Sequence, residues 1–295
     1  MSMYENCRLC ARNCGVDRTK AQGYCKMSNI LYLSRAALHF WEEPPISGTR
    51  GSGTVFFSGC SLSCIYCQNR EISRGISGTQ VTIDRLAEIM LELQDKGAHN
   101  INLVTPTHYI PSIVDAIRIA KKSGLCIPIV YNTGSYDTPE ALRLLDGLVD
   151  IYLPDLKYFT QKTSKKYSNA ADYPDVARAA IAEMYRQVGE PILDDDGIMR
   201  KGIIVRILLL PGHVAEAKLS LKYLLDNYGD NIYISLMNQY TPMDGMSPPL
   251  NRPVLHDEYR QLTDYAEKLG LRNGFTQEHG TAKESFIPPF DQEGI

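Results

Sequence analysis

The chain has no apolar run near the roughly 20 residues that cross a bilayer. It also has no opening segment that joins a basic stretch to an apolar run and a small-residue cleavage site. The expectation is a soluble, cytoplasmic protein without a membrane partner. Net charge is scarce too: 31 Lys and Arg against 34 Asp and Glu leave −3. That balance gives no general attraction to nucleic acid, so a nucleic-acid partner is not expected. There is no internal repeat or low-complexity tract, and 295 residues can bury an ample core without disulfide staples. Beyond residue 67 cysteine nearly vanishes: Cys126, in "GLCIPIVYN", stands alone and reads as a small buried hydrophobe.

Seven of the eight cysteines therefore crowd into the first quarter, in two groups. In a reducing compartment such thiols serve metals or catalysis rather than disulfides. The first group is Cys7, Cys10, Cys14 and Cys25; the second is Cys60, Cys64 and Cys67 in "GTVFFSGCSLSCIYCQN".

After the cysteine-rich start, β-branched and apolar runs alternate with amphipathic stretches. Six strands are predicted at 54–58, 100–105, 127–132, 150–156, 202–210 and 231–237, with helices at 82–97, 110–123, 138–146, 173–188, 216–228 and 255–269. Parallel connections need crossovers, so the order implies an α/β fold with a parallel sheet covered by helices. Six units fall short of a closed eight-fold barrel. A partial (β/α)6 barrel over 31–295, with a small cysteine-rich metal-binding module at 1–30 and a C-terminal extension, is the expected architecture; a doubly wound open sheet fits nearly as well. Segments 40–53, 189–201 and the tail after Gly280 read as loops.

The trio has no fourth His or Cys nearby, whereas structural zinc takes four ligands. Three thiolates leave a coordination position open, which suits a catalytic metal. The spacing CxxxCxxC directly after a strand matches a loop around one [4Fe-4S] cube with one free iron.

"GCSLSCIYCQN" resembles the cluster loop of the radical S-adenosylmethionine superfamily, with Tyr66 at its usual aromatic position. That resemblance implies that S-adenosylmethionine chelates the free iron. It also implies that the 5′-deoxyadenosyl radical from its cleavage abstracts hydrogen from a substrate, and that the electron comes from a flavodoxin or ferredoxin-type donor. Over roughly 30–275 the chain looks similar to the pyruvate-formate-lyase activating enzyme and its relatives, through "YLPDLKY", "VRILLLPGHV" and "NIYISLMNQY". "EEPPISG" and "VTPTHY" resemble a subgroup of those relatives. The implied substrate is a protein or peptide, as in glycyl-radical-enzyme activation. RNA or a small molecule modified by the same radical, or a non-catalytic metal or redox module, are the alternatives.

The other strand ends are read with that resemblance in view. "LVTPTHY" stands where the activating enzymes have a GGEP-type motif, so the motif's carboxylate is missing; Thr105 and Thr107 could still accept from the cofactor's ammonium. Asn132 and Thr133 stand where the family contacts ribose or the methionyl carboxylate. Asp155 and Lys157 share a face, and if buried they need each other or a ligand. Arg206, inside "IIVRILLL", demands an anion; the resemblance gives it the cofactor's carboxylate or ribose, with Leu208, Met237 and Tyr240 near the adenine. His108, His213 and Arg50 are candidates near substrate. Glu42 and Glu43 in "WEEPPISG" read as a rigid, solvent-facing loop near the site mouth. The four N-terminal cysteines form a closed ligand set for zinc, a rubredoxin-type iron or an auxiliary cluster.

Overall fold

A computed structural model describes residues 3–277 and 288–295. Its strands are β1 (Leu31–His39), β2 (Ser52–Phe57), β3 (Thr79–Val81), β4 (Ile101–Val104), β5 (Ile129–Thr133), β6 (Ile151–Pro154), β7 (Ile192–Leu193), β8 (Met199–Leu208), β9 (Tyr233–Met237) and β10 (Gly274–Thr276). They form one sheet in the order β10-β9-β8-β6-β5-β4-β2-β1-β3, with β7 paired to β8 beside it. Pairing is parallel from β2 through β10 and antiparallel at β1, β3 and β7. Among the described residues the sheet keeps two free edges, so it is an α/β partial barrel.

The six expected strands are β2, β4, β5, β6, β8 and β9. The four extra strands lack a clean apolar signal. β1 carries Arg35 and a register shift between Leu33 and Arg35, β7 is two exposed residues, and β3 and β10 have three residues each. The expected loop at 189–201 therefore holds the β7–β8 turn.

The helices are α1 (Pro44–Ser47), α2 (Arg70–Ser73), α3 (Ile83–Asp95), α4 (Ile110–Lys122), α5 (Pro139–Leu142), α6 (Gln161–Ser168), α7 (Tyr173–Val188), α8 (Val214–Tyr228) and α9 (His256–Lys268). In α3, Thr82 caps the start by accepting from the Arg85 N–H, and Leu86, Ile89, Met90 and Leu93 form the buried stripe. Sequence reading missed α6. Its "QKTSKKYS" has no apolar stripe and buries Thr163, Ser164, Tyr167 and Ser168 instead.

One irregularity lies where the site begins. The Asp155 N–H bonds the Thr133 carbonyl on β5 and the Leu156 N–H bonds the Arg206 carbonyl on β8. By alternation the Pro154 nitrogen faces β8, and it has no hydrogen to give. The β6–β8 ladder accordingly stops after Tyr152 and resumes as a single bridge between Asp155 and Arg206.

Residues 3–30 contain no helix or strand of their own and lie against the barrel. The Tyr4 hydroxyl hydrogen-bonds Ser112 of α4 at 2.8 Å, Cys10 bridges to Asp137, and Leu9, Cys25 and Met27 join the main core. The end of the chain folds back on β1, where Arg35 pairs with Asp291 at 2.6 Å and Phe290 sits edge-on to Phe56. Residues 281–287 of the expected tail loop fall outside the described residues. Among the described residues no helix is long and apolar enough to cross a membrane.

Candidate active site

β2 runs into the cysteine loop through Ser58 and Gly59. Gly59 has φ +89°, and a Cβ there would lie 2.3 Å from Met27 Cγ and 2.8 Å from the Cys25 carbonyl. Only glycine allows this turn with the N-terminal segment lying so close. Cys60, Cys64 and Cys67 then line one cavity of ≈ 240 Å³ at the C-terminal ends of the parallel strands. Tyr66 is buried behind them, edge-on to Tyr158, Tyr167 and Tyr240 at 6.3, 6.3 and 6.2 Å between ring centres. These rings shield the loop from water.

The donor set fits an iron–sulfur cluster. Burial, then the neighbouring thiols of Cys64 and Cys67, push the Cys60 thiol up to about 12; burial, then Cys64, also raises Cys67. Thiols so placed ionise when a metal supplies the compensating charge. A cube takes three thiolates on three different irons, and among the described residues no three His, Cys, Asp or Glu side chains form a site for one ion.

Beyond the loop the cavity continues into the barrel lumen, whose lining alternates along each strand. Low in the lumen Ile46 of α1 packs on Val130, Ile151, Leu153 and Ile204. Two residues further on, the same faces present Asn132, Asp155 and Arg206. Arg206 donates from Nε to Asp155 at 2.8 Å, from one terminal nitrogen to Glu42 at 3.2 Å and from the other to Asn132 Oδ1 at 2.7 Å. The Lys157 ammonium reaches Asp155 Oδ2 at 2.5 Å. Asn102 and Asn132 donate to Glu42 Oε1 at 3.0 and 3.4 Å.

Burial opposes ionisation of Asp155, but Arg206 and Lys157 outweigh it and hold the carboxyl below its usual range. Burial likewise opposes the Lys157 ammonium, and Asp155 outweighs it and raises that group. Two cations thus face two carboxylates, and fixed donors and acceptors point into the space beside the cysteines. Glu43 is buried as well: burial raises it to about 6, and its Oε2 has no hydrogen-bond partner.

The solvent-facing reading of Glu42 and Glu43 is corrected here. Pro44 and Pro45 start the single turn of α1, Ile46 plugs the bottom of the lumen, and the preceding glutamates are drawn inside. Cys126 is also corrected: it is exposed, in the loop before β5.

The cavity gathers Cys60, Cys64, Tyr66, Cys67, Thr105, Asn132, Thr133, Asp155, Lys157, Arg206, Leu208, Met237 and Tyr240. It also takes in Glu42, His39 and Trp41, which sequence reasoning did not assign to it. Thr105 holds φ +58°, a left-handed conformation that a β-branched residue rarely adopts, and marks a strained strand end at the cavity wall.

Other candidates lie elsewhere. Thr107 is buried beside Thr133, 3.5 Å between hydroxyls. His213 sits at the start of α8 with Nε2 2.8 Å from the Tyr167 hydroxyl. Arg50 is paired with His99 at 3.0 Å. Cys7, Cys10 and Cys25 are buried and Cys14 is exposed; a Cβ on Gly23 would be 3.5 Å from the Cys25 sulfur and 3.6 Å from that of Cys14.

His108 is buried behind the cysteine loop, 2.8 Å from the Ser58 carbonyl through Nε2, which must carry the hydrogen since a carbonyl only accepts. Nδ1 has no hydrogen-bond partner. Burial, then Arg18, lowers His108 to about 3. Between pH ~6.5 and ~3 the unfolded chain binds the extra proton, so stability rises with pH across that window, by up to about 1.4 kcal/mol per unit. His108→Gln is expected to flatten the acid limb of the urea-midpoint profile between pH 7 and 4 relative to the parent; parallel profiles would refute the assignment.

Comparison with known proteins places this geometry. The Radical SAM superfamily model matches residues 54–217. An uncharacterized protein of Methanocaldococcus jannaschii is 28% identical over 287 residues, covering 92% of this chain and 77% of that one. Streptococcus suis SuiB is similar in structure at a TM-score of 0.52 and 14% identity over 78% of this chain and 49% of that chain. SuiB bound to S-adenosylmethionine matches at 0.51 and 14% identity, over 75% of this chain and 49% of that one. This chain thus spans about half the length of these SuiB structures, and the likeness is one of fold.

Proposed function

Because the chain belongs to the Radical SAM superfamily, we propose that it is an oxidoreductase that abstracts hydrogen from a protein or peptide, similar to glycyl-radical-enzyme activation. Membership implies a [4Fe-4S] cluster and S-adenosylmethionine, and the observation that carries the reading is three cysteines opening on one cavity with a charged lumen beside them. A bound cluster would supply the electron for reductive cleavage of S-adenosylmethionine, and with it the radical chemistry that removes a substrate hydrogen atom.

The residues divide the remaining work. Cys60, Cys64 and Cys67 would hold three irons. Arg206 and Lys157 would meet the cofactor's anionic groups, Asp155, Glu42 and Asn132 its ammonium and hydroxyls, and Leu208, Met237 and Tyr240 its base. Tyr66 and the rings around it exclude water. The cavity mouth passes the exposed Trp41, 60% accessible, which suits a chain substrate better than a small enclosed one. SuiB has been seen bound to the precursor peptide SuiA, so a related fold can receive a peptide. The electron requires a partner of flavodoxin or ferredoxin type. A second metal at Cys7, Cys10, Cys14 and Cys25, whether zinc, iron or an auxiliary cluster, is proposed on ligand count alone, since the described side chains form no three-ligand site for one ion.

The test uses reconstituted full-length protein with dithionite and S-adenosylmethionine, supplemented with fractions of a cell extract. Release of 5′-deoxyadenosine should rise several-fold with the protein fraction and lose that gain after protease digestion. A gain that tracks RNA or the small-molecule filtrate would overturn the protein-substrate reading.

A further inference from the structure

The cysteine loop is tied to α6, far from it in the sequence. Ser168, the last residue of α6 and 2% exposed, places its hydroxyl 2.9 Å from the Cys64 sulfur. Tyr158, also buried, has its hydroxyl 2.6 Å from the same Ser168 oxygen. A metal-bound Cys64 thiolate only accepts. The single Ser168 hydrogen must then go to sulfur, and Tyr158 must be the donor to Ser168. The three groups form a directed chain, Tyr158 to Ser168 to Cys64.

The chain is anchored from the N-terminal segment. Arg12 donates to the Ser168 carbonyl at 2.8 Å and the Asn169 carbonyl at 2.5 Å, both orphans at the end of α6. It also donates to the Ser61 carbonyl at 2.8 Å and the Leu62 carbonyl at 3.1 Å, between the first two cysteines. Its guanidinium lies over Tyr24 and Tyr136, 4.1 and 5.1 Å from the ring centres. A further bond runs from the Ile65 N–H to the Tyr167 carbonyl at 2.9 Å. One planar cation, with its donors in a fixed fork, thus fixes the spacing between the loop and α6.

We infer that Ser168 is a positioning residue that sets the reduction potential of the cluster through its hydrogen bond to Cys64, and that Arg12 and Tyr158 hold it in place. The inference rests on the cluster assignment above. A hydrogen bond to a ligand sulfur stabilises the more negative, reduced cluster more than the oxidised one, and so raises the potential. The sequence could not show this contact, because Ser168 is 104 residues from Cys64 in a helix without an apolar stripe.

The experiment is a dithionite titration of reconstituted full-length protein, followed by the electron paramagnetic resonance of the reduced cluster, with iron content measured alongside. Ser168→Ala should keep its iron and lower the ratio of reduced to oxidised cluster at fixed poise by roughly tenfold, about 59 mV for one electron. Ser168→Thr, which keeps a hydroxyl, should recover most of that shift, and Tyr158→Phe should fall between. Arg12→Ala should shift the potential in the same direction as Ser168→Ala. An unshifted Ser168→Ala with full iron, or a Thr variant shifted as far as Ala, would overturn the inference while leaving the cluster assignment standing. A parent protein that takes up no cluster would remove both.

Discussion

Arg206→Met is expected to destabilise the protein by about 3–5 kcal/mol and to remove measurable binding of S-adenosylmethionine. The guanidinium serves Asp155, Glu42 and Asn132 at once, and the Arg206 and Glu42 side chains are 13% and 10% exposed. Deleting it leaves two carboxylates in the lumen with Lys157 as the remaining partner of Asp155. Arg206→Lys should recover only part of the loss, since one ammonium cannot reach three acceptors that a planar fork reaches together. Urea midpoints and titration calorimetry report the two effects separately. Wild-type stability and affinity in the Met variant would show that the lumen network neither supports the barrel nor meets the cofactor.

The second large effect belongs to the trio. Cys64→Ala is expected to lose the cluster's iron and to lower 5′-deoxyadenosine release by at least about 10³-fold, some 4 kcal/mol of transition-state free energy, while far-ultraviolet circular dichroism stays unchanged. Cys60→Ala and Cys67→Ala should behave alike, because a cube held by two thiolates has lost a corner. Cys14→Ala is the contrast: Cys14 is exposed and outside the cavity, so the variant should keep the cluster that the trio binds. Retention of iron and spectrum by all three trio variants would place the cluster elsewhere.

Much of the barrel was legible because parallel strands buried on both faces read as continuous apolar runs, and "TVFFS" through "NIYISLM" have that form. The charges of the lumen were legible in part, since Asp155 and Lys157 share a face by alternation and Arg206 interrupts an aliphatic run. What failed to read was tertiary. Glu42 looked like a surface charge, because nothing local says that Ile46 will plug the lumen and draw the glutamate in. α6 hid for the same reason, since its buried face is made of hydroxyls whose partners lie in the cysteine loop and in Glu216. His108 looked like a strand-end residue near substrate, yet the chain continues into α4 and turns it behind Gly59.

The most direct measurement is the electron paramagnetic resonance spectrum of the dithionite-reduced, reconstituted protein, recorded before and after adding S-adenosylmethionine. The account predicts a reduced [4Fe-4S] signal whose g-values shift when the cofactor binds the iron that the three cysteines leave open. A cluster signal that the cofactor leaves unchanged, or no cluster signal in protein with Cys60, Cys64 and Cys67 intact, would contradict it.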